Sequence, residues 1–381
     1  MIYLDNAATT WPKPDSVYQA ADNCLRTMGA NPGRGGHRMA RAASMLLYET
    51  REALADLFGI EDANQLVFTH NATDAISMAV FGIINPGDTL VTTAMEHNAV
   101  SRSVRIAQSR GANVYIIPCT PAGQLDMNAM AAAIRQKPKA VIMSHASNVT
   151  GTIMPVAEVG ELTQQFGVTL VVDAAQTAGV EEIDVNGMGI DLLAFSGHKG
   201  LLGPQGTGGL YVRETVAVKP LRAGGTGSLS ESDIQPEFMP DRLESGTPNT
   251  PGIAGLKAGI EFILKTGREA IQARELALTQ QLLAGLNSIP AVRVYGLPGI
   301  EGRTAVVSFT VEGKDCGQLA HVLDRDFGIA CRSGLHCAPW AHQVLGTLKT
   351  GTVRFSPGYF NTAEEIGQAV AAVREYTARE G

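Results

Sequence analysis

Residues 169–199 read TLVVDAAQTAGVEEIDVNGMGIDLLAFSGHK. Two apolar runs carry the reading, TLVV at 169–172 and LLAF at 192–195. Both are short, apolar throughout and bounded by polar residues, as buried strands are. The first ends on Asp173-Ala-Ala-Gln176 and the second on Ser196-Gly197-His198-Lys199. Similar runs begin at Gln65 (QLVFT), Thr89 (TLVTT), Val114 (VYII) and Ala140 (AVIMS), with a further one, GGLYVR, at Gly208. The first six starts are spaced by roughly 22 to 29 residues, room for a strand, a loop and a crossover helix. Helices are therefore expected on both faces, and the fold class is α/β with a mainly parallel sheet. The spacing is too irregular for a solenoid.

Composition narrows the function. The chain has 381 residues, 45% hydrophobic and 18% charged, which fits a globular protein and excludes a disordered one. At roughly 150 residues per domain, two or three domains are expected, or one large and one small. Lys and Arg total 30 against 37 Asp and Glu, a net charge of −7, and no basic block occurs. That balance argues against a nucleic-acid partner. No apolar run approaches the roughly 18 residues of a membrane span. The start, MIYLDNAATT, lacks a basic stretch followed by an apolar one, so a cytoplasmic protein is expected. The five cysteines (24, 119, 316, 331 and 337) are scattered, with no CxxC pair. Neither a disulfide framework nor a metal site is expected.

Helical patterns span Gly36–Phe58 and Thr73–Ile84, the second with Thr73 as a candidate N-cap. Residues 223–252 are rich in Gly, Ser, Pro and acids and read as a long loop with a functional or interface role. Helical patterns at Ile253–Lys265 and Arg268–Asn287 follow. Short strands (VRVYG, AVVSFTV, GIACRS, TVRFS) then alternate with helices at Cys316–Asp326 and Ala363–Tyr376. This part reads as a smaller α+β domain.

Ligands in α/β sheets sit beyond the carboxyl ends of strands. Lys199 stands there among small residues, where desolvation lowers an amine's pKa and suits it to a Schiff base. The plain alternative is a solvated surface lysine. Asp173, ending a buried run, needs a cation or several donors. A pyridinium nitrogen is one candidate; a turn cap is the other. Asn71-Ala72-Thr73 opens a helix after a strand, as a phosphate seat or an ordinary cap. His97, in TTAMEHNAV, is placed to stack on a planar cofactor or move protons, or simply to pack. The glycine-rich 203–209 stretch lacks GK[ST] and precedes a strand, so a nucleotide loop is a weak reading. Cys337 lies in a Gly/Ser/His loop five residues after Arg332, where exposure and positive charge favour a reactive thiolate. Arg354, in TVRFS, suits a carboxylate fork or a surface ion pair.

In combination, VVDAAQ, SGHK, SGTPN and RSGLHC, with LDNAATT and TAMEHN, resemble the cysteine desulfurases of the class V aminotransferase group. The resemblance covers residues 2–376, and RSGLHC is similar to the form with a short, ordered cysteine loop, which includes selenocysteine lyases. It implies the pyridoxal 5′-phosphate (PLP) fold type I: a large domain at 16–254 with a mainly parallel seven-stranded sheet, and a small domain from 1–15 and 255–381 carrying the catalytic cysteine. It further implies that Lys199 holds PLP and shuttles the α-proton, Asp173 pairs with the ring nitrogen, Gln176 bonds the ring hydroxyl and His97 stacks on the ring. Ala72, Thr73, Ser196 and His198 would seat the phosphate, and Thr247 would reach the phosphate of a second subunit in a homodimer. Arg354, Asn148 and Arg332 would meet the substrate, with Arg34 lining the pocket from the other protomer.

The implied reaction takes sulfur from L-cysteine, leaving L-alanine and a persulfide on Cys337 for an acceptor: an iron–sulfur scaffold, a carrier protein or a small thiol. Lys199, His97 and His336 are the candidate proton carriers. The chain departs from the family pattern in having Ala72 where a hydroxyl is frequent and Leu335 where a second His is frequent. Cys331 stands either as a sulfur relay or as a buried structural thiol. A selenocysteine lyase, with L-selenocysteine as substrate, would use the same residues. Another PLP lyase or aminotransferase would not need Cys337. A carrier or scaffold with a relic site is the non-enzyme alternative.

Overall fold

A computed structural model describes residues 1–33 and 35–379. The chain opens with β1 (Ile2–Tyr3), α1 (Asp15–Thr27) and α2 (Arg38–Phe58). There follow β2 (Leu66–Thr69), α3 (Ala72–Ile83), β3 (Thr89–Thr93), α4 (Asn98–Ser109), β4 (Asn113–Ile117), α5 (Met127–Ile134), β5 (Ala140–Ser144), α6 (Val156–Phe166) and β6 (Thr169–Asp173). Then come β7 (Leu192–Ser196) and β8 (Gly208–Val212), and after a long loop α7 (Thr250–Thr266), α8 (Arg268–Asn287), β9 (Val292–Tyr295) and β10 (Val307–Val311). The chain closes with α9 (Cys316–Phe327), β11 (Ile329–Ala330), β12 (Arg332–Gly334), α10 (Pro339–Leu345), β13 (Thr352–Phe355) and α11 (Ala363–Arg379).

The expected α/β class holds. Seven strands form one sheet in the order β2-β8-β7-β6-β5-β3-β4, and β8 alone runs against the others. Both faces are buried, because successive side chains point to opposite sides. In β5, Val141 and Met143 join one apolar cluster while Ala140 and Ile142 join the other. The carboxyl ends of β3, β5, β6 and β7 fall at Thr93, Ser144, Asp173 and Ser196. Register sets Ser144 beside Asp173, and Asp173 beside Ala194.

One expectation fails. No helix links β6 to β7; residues 174–191 run through turns and irregular chain. Glycines break the helical pattern there, and Gly179 (φ +89°) lies so close to the lysine loop that a Cβ would meet the Gly200 carbonyl oxygen at 2.6 Å. Arg213 replaces part of the lost helix bonding. It donates to Asp191 and to the carbonyls of Val185 and Ile190. The helix expected from Thr73 starts at Ala72, because Asn71 is the cap and its side chain accepts from Asp74 N at 3.0 Å.

A third apolar cluster fills the remaining part, with Leu282, Phe309, Phe355 and Val373 at its centre. It lies against an antiparallel sheet of order β12-β13-β10-β9, and β1 pairs with β11 in parallel. Helix α7 packs against α1 and α2.

Candidate active site

The strand ends open into a cavity of about 260 Å³. Ala72, Thr73, His97, Asn148, Asp173, Gln176, Ser196, His198, Lys199, Arg332 and Arg354 all line it. A larger depression of about 670 Å³ lies beside Tyr211 and Arg242, but none of the expected site residues lines it.

The lysine loop leaves β7 through Gly197, where a Cβ would collide with the Thr207 hydroxyl oxygen at 2.2 Å. The N-terminal segment clamps this loop. Thr9 and Thr10 donate to the His198 carbonyl at 3.1 and 3.3 Å, and Thr10 also to that of Lys199 at 3.1 Å. Burial, and then Arg354 and Arg332, push Lys199 down to about 8, against the pull of Asp173. A fraction of the amine is therefore neutral at physiological pH.

Asp173 is 5% exposed, and its Oδ1 accepts from Ala175 N at 2.9 Å. Burial pushes its carboxyl up, while that bond and Lys199 oppose the shift. A buried acid of this kind calls for a cation. At the start of α3, Ala72 N donates to Ser196 Oγ at 3.1 Å, which ties the helix start to the end of β7. Thr73 is exposed there, and His198 Nδ1 is buried without a partner. Burial, with Lys199 and Lys13, pushes His198 down to about 4. His97 caps α4, accepting from Ala99 N through Nδ1 at 3.0 Å. Burial, then the cations Lys199, Arg332, Arg354 and Arg102, push it down to about 3, so the ring is neutral with its proton on Nε2.

Arg354 is 1% exposed. It donates to Asp5 Oδ1 at 2.8 Å and to the Asn148 carbonyl at 3.1 Å, while its Nε is buried and unpartnered. Its strand neighbour in register is Arg332, which donates to Cys337 Sγ at 3.0 Å. The cysteine loop is pinned from two sides. Asn98 N donates to the Cys337 carbonyl at 2.6 Å, and Asn148 Nδ2 to that of His336 at 2.7 Å. His336 and Cys337 both adopt left-handed backbone, φ +48° and +58°, a strained pair held by these bonds.

Among the described residues, Cys337, Thr247 and His336 do not line the cavity, although Cys337 is held by Arg332, which does. Arg34 lies outside the described residues. Thr247 is exposed and accepts from Asn31 Nδ2 at 3.1 Å. His336 is buried against Thr352 Oγ1 at 2.9 Å, and burial pushes it down to about 2. Cys331 packs beside the third cluster, and burial pushes its thiol up to about 12. That favours the structural thiol over the relay. Sequence reasoning missed Asp5, the counter-ion of Arg354. Its signal was an acid inside LDNAATT, but its partner lies 349 residues away.

The residues suit a planar, anionic, nitrogen-containing cofactor. Among the described residues no cation is bonded to the buried acid, and Asn148 Oδ1, Arg354 Nε and His198 Nδ1 are buried without partners around one cavity. The family model "Aminotransferase class-V" matches residues 2–368. The chain belongs to that family. Probable cysteine desulfurases from Methanothermobacter thermautotrophicus and Halobacterium salinarum are each 36% identical, covering 96% and 98% of this chain and 92% and 91% of theirs. An apo cysteine desulfurase structure from Thermococcus onnurineus NA1 superposes with a TM-score of 0.93 at 35% identity, over 99% of this chain and 95% of that one. The cysteine desulfurase CsdA (S-sulfonic acid) from Escherichia coli gives 0.88 at 28% identity, over 99% and 94%. Within its family the chain therefore groups with the cysteine desulfurases.

Proposed function

We propose that the protein is a PLP-dependent cysteine desulfurase acting in the cytoplasm. It takes sulfur from L-cysteine, releases L-alanine and holds the sulfur as a persulfide on Cys337. The observation that carries this reading is the Arg332–Cys337 contact of 3.0 Å, because Arg332 lines the cavity that also contains Lys199 and Asp173. An aminotransferase would need the lysine and the acid but not the thiol.

PLP, when bound, supplies an electron sink that stabilises a carbanion at the substrate α-carbon. Lys199 would hold it, Asp173 would pair with its ring nitrogen, and Gln176 and His97 would contact its ring. The start of α3, with Thr73, Ser196 and His198, would seat its phosphate. Lys199 Nζ then takes and returns the α-proton, which its depressed pKa permits. Arg354 fixes the substrate carboxylate, itself oriented by Asp5. Cys337 Sγ attacks as a thiolate. An S–S bond forms as the substrate Cβ–S bond breaks, and the electron pair stays on the product, which is protonated to alanine.

The small domain at 1–15 and 255–381 supplies the thiol, and the large domain at 16–254 the lysine. We further propose a homodimer. Trp11, Tyr18, Leu25, Met39, Met45 and Tyr48 expose an apolar surface along and beside α1 and α2. Thr247 is bonded to the loop between those helices, so it lies where a second subunit would meet it. The acceptor is a protein or small-molecule thiol. The test incubates the PLP-loaded protein with L-cysteine and dithiothreitol. Alanine and sulfide are expected in equal amounts. Cys337→Ala is expected to keep the visible cofactor band and release no sulfide. Full turnover in that variant would sink the assignment.

A further inference from the structure

One buried acid takes no part in the chemistry above. Glu96 directly precedes His97 and is fully buried. Its Oε1 accepts from Thr93 Oγ1 at 2.6 Å, and its Oε2 from Ser144 Oγ at 2.7 Å. The Ser144 N–H is shared between the two oxygens at 3.1 and 3.0 Å. The Ser144 N–H can only donate and both hydroxyls can donate as well, so the set can satisfy a carboxylate on both oxygens. No Lys, Arg or His pairs with Glu96 among the described residues.

Its position links three parts of the site. β3 and β5 are neighbours, paired as far as Thr92 and Ile142. Beyond that point Glu96 takes up the Ser144 N–H and so prolongs the pairing. Thr93 Oγ1 also accepts from Met95 N at 3.2 Å, which folds residues 94–96 back onto β3. That turn delivers His97 to the cavity. Ser144 lines the same cavity and stands beside Asp173 in register. Its hydroxyl proton is committed to Glu96, so it offers the cavity lone pairs only.

The surrounding charges are one-sided. Burial pushes Glu96 up to about 7, the bonds from Thr93 and Ser144 oppose this, and the Asp173 charge raises it further. Cys119, after β4, also feels Glu96, but burial first of all pushes its thiol up to about 12, so it stays neutral. His97 is neutral as well. The positive charges facing this acidic pair are those of the cavity, Lys199, Arg332 and Arg354.

We infer that Glu96 is a positioning residue: as an anion it locks the His97 turn to β5 and sets a second negative charge behind Asp173, which favours the protonated form of a cofactor bound at Lys199. The inference rests on the PLP reading above. A purely structural Glu96 would affect stability and cofactor content but leave cofactor protonation unchanged.

The test titrates the visible band of the lysine-bound cofactor with pH, in PLP-loaded wild type and Glu96→Gln. The variant keeps the shape and loses the charge. Its midpoint is expected to fall by about one pH unit, the scale of removing one nearby buried charge. An unmoved midpoint, at whatever cofactor content, overturns the inference. Should Glu96→Gln not fold, Ser144→Ala decides. It removes one donor that keeps Glu96 ionised, so a smaller downward shift supports the inference and an unmoved midpoint overturns it. A wild type with no visible band overturns the PLP reading and this inference with it. A normal wild-type band with an unmoved variant overturns the inference alone.

Discussion

Replacing Asp173 by Asn should change the sign of its effect when PLP binds. The side chain is 5% exposed, and its carboxylate accepts from the Ala175 N–H. Burial raises its pKa, so the ionised form is less favourable in the folded than in the unfolded chain. Without cofactor, that ionised acid destabilises the fold at any pH above the unfolded value. Asn keeps an oxygen for the Ala175 N–H and removes the charge. The apo variant should therefore gain about 1–2 kcal/mol, the scale of an under-paired buried polar group. For a chain this long, that amounts to a Tm rise of about 2 °C. With PLP bound, the same substitution deletes one partner of a buried ion pair, a loss of about 3–5 kcal/mol. Turnover should fall at least about 100-fold, and the Tm increment from PLP should shrink. Differential scanning fluorimetry of apo and loaded protein, with alanine formation from cysteine, reads all three. An apo Tm that falls, or turnover within a few-fold of wild type, would refute the reasoning.

Acid unfolding should begin high. Burial first of all depresses five histidines: 97, 145, 198, 336 and 342. Each folded pKa lies below the unfolded value near 6.5, so the unfolded chain binds more protons once the pH drops through 6.5. Each histidine then removes about 1.4 kcal/mol of stability per pH unit until its folded pKa is reached. Circular dichroism against pH should show loss of structure near pH 5, and a transition delayed to pH 3 would contradict the assigned burial. Cys331→Ala should keep sulfide release within about two-fold and lower stability by about 1 kcal/mol. Loss of turnover with intact folding would restore the relay role.

Much of this site was legible before any coordinates. Lys199 and Asp173 were found because each follows an uninterrupted apolar run, and a strand end in such a sheet is where ligands gather. The helixless link from β6 to β7 was not legible. Its length matched a crossover, and only the approach of Gly179 to the lysine loop explains why glycine stands there. His336 resembled Cys337 as a loop neighbour, but one step along a left-handed backbone turned the imidazole inward toward Thr352.

The chain positions of the main strands, the α/β class and the candidate lysine, acid and thiol were legible in the sequence alone. Those properties depend on local periodicity and on what a side chain can do chemically. The tertiary structure decided which charges meet. Asp5 finds Arg354 and Glu96 finds Ser144 only because segments distant along the chain lie side by side. Pairing energies act through space over a few ångströms, and a linear pattern carries no such distance.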